Sequence, residues 1–563
     1  MPVVKHELRK GAYYDSVVLM QLQRSLLELP GVIDAGAIMA TPANRDLLAA
    51  NDLLPDRIAS NPDDLLIVVK AEEEAAAIKA LAQVDTLLAR KHAALDQEFR
   101  PRSLDAALKQ LPEAGWVLVS VPGRYAADVA RDALELGRHV FLYSDNVSLA
   151  DEVALKHTAR SNGLLVMGPD CGTAIINGIG LGFANRVRRG SIGVVGAAGT
   201  GLQAITSRIH ELGAGVSHAI GTGGHDLKAE VGASTARQAL AVLARDPDTR
   251  VIVIVSKPPA PDVATRLLTA AQAVGKPVVV DFIGYAPPGR RLGSLHFATT
   301  LSEAAEMATK LSVIGHWESG ETSVPITNHY LRGLFSGGTL AYEALLMLQA
   351  TLYPLFSNAP MTNDQLLSDP LHSQAHTIVD LGSDEFTVGR LHPMLDNDLR
   401  IRRLRQEAAD PEVAIILLDV VLGEGAHPDP ASELAPVIKE VTSHSEMRDR
   451  RLEIVAIVIG TADDPQNLQS QIDRLIDAGA IIFRTTNEAV EYVAQRLSCF
   501  TPDDYPPVAL DRFTQAPLAA INVGLESFCA SLKSQGASVV QVDWRPPAGG
   551  NEKMAALLAK MKK

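Results

Sequence analysis

At 563 residues, with 47% hydrophobic and 21% charged side chains, the chain is too long for a single hydrophobic core and too apolar to be disordered. A net charge of −14 without any concentrated run of Lys or Arg excludes a nucleic-acid surface, and three cysteines without CxxC spacing (Cys171, Cys499 and Cys529) exclude a disulfide framework and a cysteine metal site. No apolar leader pattern follows Met1-Pro2-Val3-Val4-Lys5, and no apolar run reaches the roughly 20 residues of a membrane span, so a soluble cytoplasmic protein is expected.

Residues 1–100 read as a small α+β domain of ferredoxin-like order. They carry a helix from Tyr14 to Leu29, strands over Gly31–Met39 and Asp64–Lys70, and an Ala/Glu-rich helix from near Glu72. From Trp116 the rhythm is βαβ. Val117–Val121 is an unbroken apolar strand; the helix Tyr125–Leu136 sets Ala126, Val129, Ala130 and Ala133 on one face, Gly137 closes it, and Val140–Tyr143 is the next strand. Similar strands recur at Leu164–Met167, Ile192–Val195, Val251–Val255, Val278–Phe282, Val413–Leu418 and Val455–Ile459. Continuous apolar strands separated by amphipathic helices predict doubly wound parallel sheets, Rossmann- or flavodoxin-like, covered on both faces.

The predicted divisions are 1–100, 101–186, 187–314, 328–500 and 508–563. The Gly/Ser/Glu/Pro-rich stretch Gly315–Thr327 separates two α/β halves, and Asn358–Thr377 is a polar loop or disordered insertion. Thr501–Pro507 sets off a C-terminal segment with a strand near Val539–Val542 and a lysine-rich terminal helix.

Two glycine turns carry the functional reading. Gly196-Ala197-Ala198-Gly199-Thr200-Gly201 joins a strand to the helix Leu202–Leu212, and Gly333-Leu334-Phe335-Ser336-Gly337-Gly338-Thr339 opens a helix over Ala341–Leu348. Strand, glycine turn and helix together present unpaired backbone N–H groups and the positive end of a helix dipole, which suits a phosphate or carboxylate. Gly199, Thr200, Gly201, Ser336, Gly337, Gly338 and Thr339 are therefore the predicted anion-binding residues; the alternative is a pair of tight βα turns without a ligand. Neither turn is a P-loop, since Gly-Lys-Ser/Thr is absent, and neither fits GxGxxG.

Through Val119-Ser120-Val121-Pro122 and Gly168-Pro169-Asp170-Cys171-Gly172 the sequence resembles the α-subunit of succinyl-CoA synthetase and ATP-citrate lyase. It resembles the FdrA family over nearly its whole length, through Met167–Thr173, Ala219–Gly224, Ser256-Lys257-Pro258-Pro259, Val388–Met394 and Trp544–Gly550. The ligase resemblance implies a CoA-binding-like Rossmann domain over 101–186, a ligase-like flavodoxin domain over 187–314 and a second ligase-like domain over 328–500. The FdrA resemblance implies one subunit of an oxamate carbamoyltransferase in allantoin breakdown, working with two further chains and taking phosphate or carbamoyl phosphate as substrate. Three departures from the ligase are plain. Ser294 follows Gly289-Arg290-Arg291-Leu292-Gly293 where the ligase has its nucleophilic histidine, with His296 two positions later; the N-terminal CoA glycine motif has no match; and no ATP-grasp segment occurs. No required cofactor and no metal site are expected, and the alternatives are a CoA- and nucleotide-dependent acyl-CoA synthetase or a non-catalytic scaffold.

Other candidates are Arg390, as a fork for a phosphate or carboxylate, and His392, as a proton donor. Nearby Asp380, Asp384, Asp396 and Asp398 could hold a divalent cation or form a solvated loop. Lys257 follows a buried-type strand, where α/β sheets bind ligands, or simply ends that strand in solvent. Cys171 is either a reactive thiol or a packed small side chain, and Asp419 and Asp429 are further acidic candidates.

Overall fold

The computed structural model describes residues 2–10, 16–54, 58–61, 64–92, 100–285, 287, 289–313, 330–446, 450–497, 505–514 and 517–546. The expected junction at Gly315–Thr327, the terminal lysine-rich helix and most of Thr501–Pro507 lie outside these residues.

The N-terminal elements are β1 (Val3–Arg9), α1 (Ser16–Leu27), β2 (Val32–Met39), α2 (Pro42–Ala50), β3 (Leu65–Ala71), α3 (Glu74–Ala82) and α4 (Val84–His92). The α/β part opens with α5 (Leu104–Gln110), β4 (Trp116–Val119), α6 (Gly123–Glu135), β5 (His139–Leu142), α7 (Leu149–Ser161) and β6 (Val166–Met167). It continues through β7 (Thr173–Ile176), β8 (Ile179–Gly182), β9 (Arg189–Gly196), α8 (Gly199–Glu211), β10 (Val216–Gly221), α9 (Ser234–Arg245), β11 (Val251–Ser256) and α10 (Pro261–Gln272). Next come β12 (Val278–Phe282), β13 (Arg291–Leu292), β14 (Leu295–Phe297), α11 (Leu301–Val313), β15 (Tyr330–Phe335), α12 (Gly338–Leu348), β16 (Leu355–Ser357), β17 (His376–Asp380), α13 (Asp384–Thr387) and α14 (Asp398–Ala409). The remainder is β18 (Val413–Val421), α15 (Pro430–Glu446), β19 (Glu453–Ile459), α16 (Leu468–Asp477), β20 (Ala480–Phe483), α17 (Thr486–Leu497), α18 (Leu510–Phe513), β21 (Ala519–Val523), α19 (Glu526–Ser534) and β22 (Ser538–Val542).

The chain divides into two compact units. One takes residues 1–159, 166–170 and 511–563, the other residues 160–165 and 171–510.

The first unit contains a three-stranded antiparallel sheet, β1-β3-β2, and a five-stranded parallel sheet, β22-β21-β4-β5-β6. β3, with the sequence LLIVVKA, is the central strand of the small sheet, and Leu65, Ile67 and Val69 share a core with Leu22 and Leu26 of α1. The segment 508–563 does not stand apart as expected. Ala520–Val523 pair in register with Trp116–Val119, so the C-terminal strands complete the sheet begun at residue 116, and Trp116 packs edge-on against Phe513. The loop between β5 and α7 lies against the N-terminus of α6, because a Cβ at Gly123 would collide with the Asp145 and Asn146 carbonyls.

The second unit contains an eight-stranded sheet, β13-β14-β12-β11-β9-β10-β7-β8, and a six-stranded all-parallel sheet, β16-β17-β15-β18-β19-β20. In the eight-stranded sheet, β10, β9, β11, β12 and β14 run parallel. Gly196 packs under Leu202 of α8 and Gly193 under Leu243 of α9, which places these helices on opposite faces. Helix α11 joins α8, and α10 joins α9. In the six-stranded sheet, α12 and α17 cover one face and α14, α15 and α16 the other, over two cores built from Ile, Leu and Val. The polar stretch Asn358–Thr377 is ordered: Met361 N donates to Gln365 Oε1 at 3.1 Å, and His376 begins β17. The architecture is α/β with tandem parallel sheets and a small N-terminal α+β domain.

Candidate functional site

The carboxyl edge of the eight-stranded sheet gathers stretches far apart in sequence. Gly196 of β9 pairs with Gly221 of β10 on one side and Val255 of β11 on the other, and β7 lies beyond β10. Cys171–Thr173, Gly196–Gly201, Ala219–Gly224 and Ser256–Pro259, four separate stretches of the sequence, therefore all end at or beside this edge.

Helix α8 starts at Gly199 after Ala198, and no side chain caps it. Its first N–H groups, at Gly199, Thr200 and Gly201, are oriented outward from the helix end. Thr200 is exposed and Gly201 buried, the latter against Val255. Over this turn lies the Gly172-Thr173 backbone, and Thr173 Oγ1 stands 3.7 Å from where a Gly199 Cβ would be. Thr173 is 1% exposed and its hydroxyl has no partner among the described residues, so a buried polar atom lies beside an uncapped helix end. Gly221 is required there, since a side chain at that position would meet Cys171 Sγ and the Thr173 carbonyl. Cys171 is buried, with its thiol directed at the Thr173 carbonyl at 3.6 Å, which is the packed alternative. Lys257 is exposed directly after β11 at the same edge.

Asp281, which sequence reasoning did not single out, lies beside Val255 in the register of β11 and β12. It is 1% exposed, neither carboxylate oxygen has a partner among the described residues, and burial reinforced by the Glu303 charge pushes its pKa up to about 6. An acidic residue at the end of an apolar strand was the available signal. His296 pairs with Val279 near the opposite end of β12, and burial together with Arg291 holds its pKa down. It stands away from the glycine turn, in keeping with a structural role.

The second turn differs from expectation. Ser336 does not offer its donors to a ligand: its N–H and Oγ donate to Asp419 Oδ1 and Oδ2 at 2.8 and 2.7 Å. Asp419 is fully buried and also takes Arg400 Nη2 at 3.1 Å. The Gly337-Gly338-Thr339 turn is likewise not an open cradle. The Asp380 carboxylate stands 2.9 Å from where a Gly338 Cβ would be, so the α12 N-terminus already faces a negative group of the protein's own. Burial raises the pKa of Asp380, an effect the Gly382 N–H and His392 oppose and Asp419 and Glu385 reinforce. His392 is brought in: its Nε2 lies 2.8 Å from a Cβ position on Gly382, against the Asp380 loop. Arg390 and Thr339 are exposed. The acidic cluster is dispersed, with Asp398 pairing with Arg402 and Asp396 accepting from Asp398 N; among the described residues no group of three or more His, Cys, Asp or Glu could hold a metal. Asp429 pairs with Arg474 at 2.6 Å.

Tandem parallel sheets with glycine turns at their carboxyl edges define a succinyl-CoA-synthetase-like, CoA-ligase-like protein. Family models match as CoA-ligase over residues 334–496, CoA binding domain over 187–284 and AllF, heavy metal-associated domain over 1–102. The CoA-binding match thus falls on the eight-stranded sheet and its uncapped turn, whereas the resemblance to the ligase had implied 101–186. The N-terminal match contains none of the three cysteines. The chain belongs to the FdrA family together with YahF of Escherichia coli (strain K12), an uncharacterized protein 41% identical over 494 residues, 85% of this chain and 96% of that one. The succinate–CoA ligase [ADP-forming] subunit alpha of Aquifex aeolicus is 28% identical over 183 residues, 31% of this chain and 59% of the relative. A solved ATP citrate lyase from Methanothrix soehngenii, in complex with citrate and coenzyme A, overlays on 40% of this chain and 44% of its own at 17% identity and a TM-score of 0.33. No described helix is long and apolar enough to cross a membrane.

Proposed function

We propose that this chain is the FdrA-type subunit of a multi-chain carbamoyltransferase in allantoin catabolism, acting in the cytoplasm with two further chains. The observation that carries the reading is the uncapped N-terminus of α8 with the unpartnered Thr173 hydroxyl beside it. Phosphate held there attacks the ureido carbon of oxalurate. A P–O–C bond forms, the bond from that carbon to the inner nitrogen breaks, and the phosphate proton passes to that nitrogen, giving oxamate and carbamoyl phosphate. Backbone N–H groups of the turn hold the phosphate without a histidine nucleophile, and Lys257 at the next strand end supplies positive charge for the oxyanion that develops. The AllF match over 1–102 supports the metabolic setting. His392 beside Asp380 is the proton-carrying pair at the second turn, and Arg390, exposed beside it, is a surface contact for substrate or partner.

A second reading, an acyl-CoA synthetase using CoA and nucleotide, is favoured by the CoA-binding match on 187–284 and the CoA-ligase match on 334–496. Reconstitution with the partner chains separates them. Phosphate-dependent loss of oxalurate with carbamoyl phosphate formed is the expected result; thioester formation from acid, CoA and ATP in its place would establish the second reading. A mixture inactive in both assays would leave a non-catalytic scaffold or regulatory subunit.

A further inference from the structure

Side chains paired in register on parallel strands stand on the same face of the sheet. Val255 of β11 stands on the α8 face, its Cγ1 lying 3.0 Å from where a Gly196 Cβ would be and its Cγ2 3.8 Å from where a Gly201 Cβ would be. Asp281 of β12 pairs with Val255, which pairs in turn with Gly196 of β9, so the three form one row across the carboxyl edge. The Asp281 carboxylate therefore belongs to the α8 face. Val279, two residues earlier on β12, agrees by sharing a core with Leu202 and Ile205 of α8. Two strand spacings, roughly 10 Å, separate Asp281 from Gly196, a gap that a carboxylate and a tetrahedral anion at the first turn of α8 can span.

The backbone N–H groups at this turn donate to any bare oxygen, and the Thr173 hydroxyl can turn to suit a bare or a protonated one, so neither tells one tetrahedral anion from another. Asp281 is the group that can. It is 1% exposed, and neither of its oxygens has a hydrogen-bond partner among the described residues. The charge that acts on it is the like-signed Glu303, whose own carboxylate is taken up by Arg290 at 2.6 Å and by the N–H and Oγ1 of Thr299 at 2.8 and 2.7 Å. Burial and Glu303 together raise the Asp281 pKa to about 6, so its ionised form gains from a ligand that brings a proton. A carboxylate facing an anion repels it unless a hydrogen lies between them. Hydrogen phosphate carries such a hydrogen near neutral pH, and sulfate does not.

We propose, on the reading of that turn as the phosphate site, that Asp281 is its specificity-determining residue, accepting the P–O–H hydrogen of hydrogen phosphate and excluding tetrahedral anions that carry none.

The test is calorimetric titration of the full chain with phosphate and with sulfate near neutral pH. The parent is expected to bind phosphate at least about ten-fold more tightly than sulfate, the worth of one charge-assisted hydrogen bond. Asp281→Asn keeps the shape of the side chain, removes its charge and adds an N–H donor. The two affinities should then come within about three-fold of each other, chiefly because sulfate binds more tightly. A merely structural loss would lower both affinities together and leave their ratio where it was. A parent that binds the two anions equally, or an Asp281→Asn protein that keeps the parent's ratio, would overturn the assignment of Asp281 while leaving the phosphate site in place. A parent that binds neither anion would remove the site itself, and the role of Asp281 with it. If Asp281→Asn does not fold, the parent decides with arsenate, which keeps a hydrogen, and selenate, which does not. Displacement of phosphate by arsenate alone is expected, and equal displacement by both would overturn the proposal.

Discussion

Two buried side chains at the carboxyl edge of the eight-stranded sheet, Thr173 and Asp281, hold polar atoms without a hydrogen-bond partner among the described residues. Leaving a buried hydroxyl unpaired costs about 1–3 kcal/mol, so Thr173→Val is expected to keep or raise the melting temperature. The same change is expected to weaken phosphate binding about three- to ten-fold by calorimetry; equal affinity would remove Thr173 from the anion site. Asp281 makes a pH-dependent prediction. Its folded pKa of about 6 lies above the ~3.9 of an unfolded aspartate, so ionisation opposes folding. That cost is absent below about pH 4, grows up to about pH 6 and is constant above it. Asp281→Asn should therefore stabilise the protein by about 1–2 kcal/mol at pH 7 to 8 and by nothing near pH 4, read from urea unfolding at the two pH values.

Elements explain why glycines and buried ions sit where they do. Residue 221 ends β10 against the Cys171 side chain and the Thr173 carbonyl, and neither can retreat far because β7 is paired with β10. Gly221→Ala is expected to cost about 1–3 kcal/mol in thermal unfolding and to weaken phosphate binding by shifting the Thr173 loop. At the six-stranded sheet, Asp419 of β18 holds Ser336, just after β15, and Arg400 of α14 together. Asp419→Ala strands the Arg400 charge in the core and should cost about 3–5 kcal/mol, whereas Ser336→Ala should cost only about 1 kcal/mol. Equal losses would mean that the Arg400 charge is met by something other than Asp419.

On the scale of the whole chain, segments about four hundred positions apart in the sequence make one sheet. β4 receives β21 from over four hundred positions later, and Gly115 N donates to Ala519 O at 3.0 Å. A chain ending at Thr514 should expose the β4 edge and be cleaved within residues 104–167 under limited proteolysis that leaves the full chain intact; equal resistance would show that β21 is dispensable.

Much of the fold was legible because each βα unit announces itself within about a dozen residues: the apolar run at Val251–Val255 lies in β11 and the helix opened by Gly199 is α8. β1 was missed, since Val3–Arg9 is a half-buried edge strand with charged residues throughout. α2 was missed too, and it depends on Thr41 capping Asn44 rather than on a long apolar stripe. Both turns were found as local patterns, but their difference could not be read. Asp380 is some forty positions from Gly338 in sequence yet faces it in space, while Thr173 reaches Gly199 from the far side of β8 and β9.

The amino-acid sequence by itself determined the parallel α/β class, the two loop-to-helix junctions and the FdrA kinship, because backbone propensity, apolar periodicity and glycine freedom act between near neighbours. Only the tertiary structure decided which junction keeps an uncapped helix end, which acid is buried without a partner among the described residues, and where the C-terminal strands go. Those outcomes rest on contacts between segments tens to hundreds of positions apart, and such contacts are fixed by packing and burial rather than by any local preference.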